Sequence, residues 1–308
     1  MTTRTLPRRA LTAAALMIGL AALTACSPTP TTTKQAPISS SAASGTPGSS
    51  PTAAGPTTKA SEPVTITHIH TVARDPKTGE LLLATHEGLF RQSAGELHQS
   101  GPVIDLMSFA IAPDGTYYAS GHPGTGTDLP EPVGLLSSTD SGRTWKVLSR
   151  GGQSDFHALG AGPRTITGFD GTLRTTSNRT DWTTRAIPAP PRTLAAAPTT
   201  GTLLATTRAG LLLSTDDGAS WRTLSPPETA VLVAWADEQT IIAATATGKL
   251  ASSTDAGATW TLHPNPIGPA SALYAQRGSD QKVEIIAVVG TKVLRTTNNG
   301  ETTNHLVS

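Results

Sequence analysis

The chain has 308 residues, and its 23 basic and 22 acidic side chains leave a formal net charge of +1. No Lys/Arg cluster stands out of this balance, which excludes a nucleic-acid partner. One cysteine in the whole chain excludes an internal disulfide, so the folded part must be held by its core.

Arg4, Arg8 and Arg9 precede a short apolar stretch, Ala10–Leu23. That order of charge and hydrophobicity predicts a signal peptide over residues 1–25. The stretch is too short for a comfortable membrane span. Leu23-Thr24-Ala25-Cys26 follows and resembles the bacterial lipobox. The resemblance implies cleavage before Cys26, lipidation of its thiol, and a protein held on the outer side of the bacterial cell membrane. Residues 26–62 continue in Ser, Thr, Pro, Ala and Gly, with Ile38 the one large aliphatic side chain. Such a segment buries too little apolar surface to offset the entropy of ordering, and a disordered tether is expected. Its reach would be about 30–35 Å.

From residue 63 to 308 the chain repeats itself. Trp145, Trp182, Trp221 and Trp260 recur every 37 to 39 residues. Three of them close the same octet: Ser138–Trp145, Ser214–Trp221 and Ser253–Trp260 all read S-x-D-x-G-x-[ST]-W. Decayed copies stand at Thr175–Trp182 and Thr296–Thr303. Between copies lie short β-rich segments separated by Gly, Pro and Asp, as in Thr202–Thr206 and Leu211–Ser214. A period near 40 with four short strands per unit predicts a β-propeller. Six units fill the segment, and a seventh would require strands from the tether. In the second unit the first two strands are expected at Met107–Ala112 and Thr116–Ser120. The third unit is expected to start at Phe156–Gly160, and the last strand to lie near Thr302–Leu306.

The repeated octet sits between the third and fourth strands of its unit. Asp140, Asp216 and Asp255 are expected to accept backbone N–H groups across a tight turn. Gly142, Gly218 and Gly257 supply positive φ at little steric cost. Trp145, Trp221 and Trp260 are expected to drop between neighbouring sheets. One Asp per copy is too few oxygen ligands for calcium, so the role is structural.

Chemistry is expected at the other end of the ring, where the first strands begin and the second-to-third turns lie. His68 and His70 begin the first strand of the first unit, two apart and so on one side of it. His86 and His122 end the second strands of units one and two, and His157 lies near the start of unit three. Imidazole is the commonest protein ligand for zinc and copper, so these five histidines form a candidate metal site. A polar lining made by hydrogen bonds to neighbouring loops is the competing reading. Asp105, Asp155 and Asp170 fall on the same side. The insertion His122–Pro132 adds Asp128. Glu87, Asp128 and Asp155 are the carboxylates to test for glycoside hydrolysis.

The octets resemble the Asp-box, or bacterial neuraminidase repeat. Thr67-His68-Ile69-His70, Thr85–Phe90, Ser120-Gly121-His122-Pro123 and Asp155–Leu159 together resemble a family of bacterial, often lipidated, Asp-box propellers labelled glycosylhydrolase or sialidase-like. A sialidase would need an arginine triad, a Tyr–Glu nucleophile pair and an F/Y-R-I-P motif. Here that motif is replaced by Phe90-Arg91-Gln92-Ser93, in a third strand away from the channel. Asp-box propellers also serve as non-catalytic scaffolds. The expectation is a membrane-anchored monomer that binds an extracytoplasmic ligand, glycan or protein, with hydrolysis of extracellular glycans as the alternative.

Overall fold

The computed structural model describes residues 65–307; the expected signal peptide, Cys26 and the expected tether lie outside them. Within them the chain forms six four-stranded antiparallel sheets arranged as a six-bladed β-propeller. Blade 1 comprises β1 (Ile69–Arg74), β2 (Leu81–Thr85), β3 (Gly88–Ser93) and β4 (Glu96–Ser100). Blade 2 comprises β5 (Ile104–Ile111), β6 (Tyr117–Pro123), β7 (Leu135–Ser138) and β8 (Lys146–Ser149). Blade 3 runs through β9 (Ala158–Ala161), β10 (Ile166–Phe169), β11 (Leu173–Thr176) and β12 (Thr183–Arg185). Blade 4 has β13 (Pro191–Ala196), β14 (Leu203–Thr207), β15 (Gly210–Ser214) and β16 (Arg222–Leu224). Blade 5 has β17 (Ala230–Trp235), β18 (Ile241–Thr245), β19 (Leu250–Ser253) and β20 (Thr261–Leu262). Blade 6 has β21 (Ala270–Arg277), β22 (Val283–Val289), β23 (Lys292–Thr296) and β24 (Asn304–Val307).

The second strands explain why the sheets stack. Leu81–Thr85 (LLLAT), Leu203–Thr207 (LLATT) and Ile241–Thr245 (IIAAT) are buried at every position. A strand covered on both faces reads as a continuous apolar run, because alternation is useful only where one face meets water. Six core clusters lie one at each blade–blade interface, the last joining Ile69, Val72 and Leu83 of blade 1 to Ala272, Ile286 and Val288 of blade 6. Fully burying one Leu in such a layer contributes about 1.5–3 kcal/mol.

Every blade is built from four consecutive strands, β21–β24 included. The ring therefore closes by side-chain packing of blade 6 on blade 1, without a strand exchanged between them. Gln92 Nε2 donates to the Leu306 carbonyl at 2.8 Å across this seam. The Arg74 guanidinium pairs with the Glu284 carboxylate there as well.

The repeated turns follow one plan. In Ser253–Trp260, Asp255 Oδ1 accepts the Thr259 N–H at 2.8 Å and the Ser253 hydroxyl at 2.8 Å. Its Oδ2 accepts the Thr259 hydroxyl at 2.6 Å. Ser253 Oγ in turn accepts the Gly257 N–H at 2.8 Å. Gly257 has φ +87°, and the residue before it, Ala256, has φ +54°. In the decayed copies Asn178 and Asn298 take the place of Asp and accept the same N–H groups, from Asp181 and Thr302. The tryptophans are half-buried at the edges of the interfaces instead of sunk between the sheets: Trp145 packs against the blade 1–2 cluster, Trp260 against the blade 4–5 cluster.

Some boundaries differ from expectation, and two of the differences shape the site. β5 starts at Ile104 instead of Met107, and β6 runs on to Pro123 instead of stopping at Ser120. β9 starts at Ala158, after the segment that carries Asp155 and His157, and β24 is shifted to Asn304–Val307. The added start of β5, Ile104-Asp105-Leu106, alternates two fully buried aliphatics with Asp105, and the added end of β6 is Gly121-His122-Pro123, with Gly121 buried and the other two half-buried.

Candidate metal centre at the channel mouth

In each blade the first strand runs away from one end of the ring, the second returns to it, and the third leaves it. The Asp-bearing turns between third and fourth strands thus lie at the opposite end from the β2–β3 turn and from the starts of β1, β5 and β9. The first strands surround a channel cavity of about 540 Å3 with mostly apolar walls, to which Ala158, Leu194, Leu232 and Ala272 contribute. His68, His70 and His157 line it as well.

The first strands of five blades have a register irregularity near their start, at Ile69/Thr71, Asp105/Ser108, Pro191/Thr193, Ala230/Leu232 and Ala270/Ala272. A bulged residue is left out of the ladder and re-aimed. In blade 1 that residue is His70. In blades 4, 5 and 6 the same place holds Arg192, Val231 and Ser271, so the fold repeats the device and blade 1 alone puts an imidazole there. Among the five bulges, that of β5 is the widest, and Gly121 of β6 makes it fit. Gly121 has φ +147°, and a Cβ there would stand 1.9 Å from the Asp105 carbonyl oxygen.

The bulges bring His70, His86 and Asp105 together. One ligand atom from each lies within 4.8 Å of the others. His86 Nδ1 is 2.9 Å and His70 Nε2 3.8 Å from Asp105 Oδ1. Two nitrogen or oxygen ligands of a tetrahedral zinc ion stand about 3.3 Å apart, so the three side chains would have to rotate to close on a common ion. His70 Nε2 is a buried atom without a hydrogen-bond partner, and buried Asp105 Oδ1 has no well-aligned one, its 2.9 Å contact with His86 Nδ1 notwithstanding. Polar atoms in that condition are uncommon, because leaving them unpaired costs about 1–3 kcal/mol each. Burial, reinforced by the neighbouring His68 and His86, lowers the His70 pKa to about 4. His70 is therefore neutral at pH 7, the form in which imidazole binds metal. His68 is exposed beside them, its ring 4.6 Å from that of His70 and 5.5 Å from that of His86.

Glu87 is not part of this set. Its Oε1 accepts the Thr67 N–H at 3.2 Å and the Thr67 hydroxyl at 2.5 Å. Burial pushes its pKa up, but these hydrogen bonds outweigh it and the net shift is downward. Glu87 anchors the segment that leads into His68. Thr85 holds the turn from the other side, its hydroxyl donating to the Gly88 carbonyl and accepting the Glu87 N–H, both at 3.0 Å.

His122 and His157 belong to a second group. His122 Nε2 lies 3.2 Å and His157 Nε2 2.6 Å from Asp155 Oδ2. Glu131 Oε1 is 2.6 Å from His122 Nδ1 and raises the pKa of that imidazole. Within β6, His122 stands opposite Asp105 of β5, so it is a strand residue and not the first residue of the insertion. The five histidines of the sequence reading thus divide into two neighbouring sets. Asp128, expected near them, is exposed on the insertion and has no ion pair among the described residues, whereas Glu131 of the same insertion reaches His122. Nothing local in the sequence marks Glu131 over Asp128.

Asp170 serves the scaffold. It receives Arg174 Nε at 3.0 Å and the Ser154 hydroxyl at 2.5 Å. Arg91 is tied to Asp75 at 2.9 Å and to Glu80 on the edge of blade 1. Tyr274 donates to Gln276, which donates to Glu284; the phenol and the carboxylate do not touch.

Comparison with known proteins agrees with the fold. The model of the DUF6242 beta propeller domain matches residues 166–306, the last four blades from β10 onward. A search of curated proteins gives no match. Among solved structures, the chain is similar to the extracellular domain of the hybrid two-component system BT4673 of B. thetaiotaomicron, at 12% identity and a TM-score of 0.54, over 78% of this chain and 33% of that one. It is also similar to an ancestral GH74 enzyme, at 11% identity and a TM-score of 0.51, over 77% of this chain and 38% of that one. The chain spans about a third of the length of the first and somewhat more of the second, and what it shares with them is the propeller.

Proposed function

We propose that this protein is a lipid-anchored, extracytoplasmic propeller that binds a divalent transition metal, zinc or copper, at its channel mouth through His70, His86 and Asp105. The observation that carries this is the convergence of the three ligand atoms within 4.8 Å, two of them buried and without a well-aligned hydrogen bond. The donor set of two imidazoles and one carboxylate suits zinc and copper(II) and suits magnesium or calcium poorly. The lipobox-like Leu23–Cys26 and the Ser/Thr/Pro-rich residues 26–62 support placement outside the cell membrane on a flexible tether. The Asp-box resemblance supports a rigid scaffold with its binding face at the far end of the ring. A propeller shared with a glycoside hydrolase does not bring its activity along, and no observation at the mouth favours glycan hydrolysis over binding.

Titration of the metal-stripped protein with zinc and with copper(II), read by elemental analysis and calorimetry, tests the reading. Metal retained by the native protein and released from His70→Ala and Asp105→Asn supports it. No retention of either metal, or retention indifferent to both substitutions, overturns it.

A further inference from the structure

We propose a second metal position at the mouth, beside the first, held by Asp155, His157 and His122 with Glu131 behind His122. It builds on the metal reading of the mouth but uses none of the three ligands of the first position.

Donor and acceptor accounting comes first. A neutral imidazole carries one ring proton. Glu131 Oε1, 2.6 Å from Nδ1, is acceptor-only when ionised and fixes that proton on Nδ1. His122 Nε2 then presents a lone pair, and what it faces at 3.2 Å is a carboxylate oxygen, Asp155 Oδ2. Two acceptors face each other unless a cation, a metal ion or a second proton, stands between them. His157 Nε2 converges on the same oxygen at 2.6 Å. The other oxygen, Asp155 Oδ1, is buried with no hydrogen-bond partner. The three ligand atoms are spread more widely than those of the first position, so the two imidazoles must rotate towards each other to close on one ion; a carboxylate behind a histidine is the arrangement that orients metal-bound imidazoles.

Next is the support under Asp155 and His157. The two residues flank Phe156, which is fully buried and stacks on Trp182 with ring centroids 4.9 Å apart. The Phe156 N–H donates to Ser120 Oγ at 2.9 Å, and its carbonyl accepts the Ser108 hydroxyl. Ser154, just before, is held by Asp170 and by Arg150. A segment outside any strand is thus fixed at Ser154 and Phe156, on either side of Asp155, and what it presents is one carboxylate and one imidazole. Such locking from beneath is what a site needs in order to hold its ligands in place.

Finally, the two positions are neighbours. Asp105 of the first and His122 of the second face each other on the β5–β6 ladder, where opposed Cα atoms are about 4.5–5.5 Å apart. The charges of each set are felt in the other: Asp105 acts on His122, and His157 on His70. Asp105, Asp155 and Glu131 supply three negative charges for two dications.

The test is stoichiometry on the full chain, stripped with a chelator and loaded with zinc or copper(II). Two equivalents per chain are expected, falling to one in Asp155→Asn and in His157→Gln; the second variant changes an exposed side chain and leaves the fold least disturbed. The dicopper form should give a half-field EPR transition that either substitution abolishes. Two equivalents unaffected by both substitutions overturn the second position. One equivalent, lost in His70→Ala and kept in Asp155→Asn, overturns it and leaves the first intact. No bound metal overturns both.

Discussion

The Arg74 guanidinium and the Glu284 carboxylate meet at 3.0 Å across the seam between the first and last blades. Arg74 Nε also donates to Glu284 Oε2 at 3.2 Å, and Arg295 reaches Oε1. Burial pushes the Glu284 pKa up, but the two guanidiniums win and hold it below the usual range. With side chains only 16% and 10% exposed, removing one partner strands a buried charge. Glu284→Ala should cost about 3 kcal/mol and lower Tm by roughly 6–12 °C. Metal binding at the other end of the channel should be unchanged, as calorimetry of the variant would show.

The turn at Ser253–Trp260 makes a graded prediction. Asp255→Asn keeps an Oδ1 acceptor, as Asn178 and Asn298 do in blades 3 and 6, whereas Asp255→Ala removes it. Thermal denaturation should rank them wild type, Asn, Ala in falling Tm. Ser253→Ala leaves the buried Gly257 N–H without its acceptor and should cost about 1–3 kcal/mol.

Acid should find the same turns. Hydrogen bonds from Thr144, Ser220 and Thr259, side chain and backbone, lower the pKa values of Asp140, Asp216 and Asp255 to about 2. Their unfolded values lie near 3.9. The folded values are the lower ones, so the unfolded chain binds more protons as pH falls, and the stabilisation is complete only above the unfolded value. It should be present in full at pH 6 and drain away between about pH 4 and pH 2. In the triple Asp→Asn variant the slope of Tm against pH should be shallower over that window. An equal slope would show that the turns do not govern acid stability.

Gly121→Ala tests the bulge that positions Asp105. The added methyl would collide with the Asp105 carbonyl, so β5 must shift. A loss of about 1–3 kcal/mol in stability is expected, with a drop in metal affinity at the first position. A Gly152→Ala control also replaces a positive-φ glycine but adds its methyl where no atom lies within 4 Å. It should leave metal binding unchanged.

The blades were legible because burial on both faces writes LLLAT, LLATT and IIAAT plainly into the chain, and because the octet repeats at a fixed spacing. The histidines could be assigned to one end of the ring from topology alone. Their division into two sets was not legible. It depends on a bulge at His70 and on the pairing of Asp105 with His122, and a bulge breaks the two-residue alternation from which a strand's faces are read. Asp105 looked like one loop carboxylate among several, and Glu131 had no more claim than Asp128, until the backbone placed them.

The seam between β24 and β1 has the same construction as the five covalent junctions: a layer of apolar side chains between two complete sheets. The last strand of a blade ends at the face where the first begins, and Gln92 already touches Leu306 across the gap. The order of blades in the chain is therefore a cyclic one with an arbitrary cut. A permutant opened between blades 4 and 5 and joined by a short linker across the seam would keep both clusters of the mouth on blades still covalently consecutive.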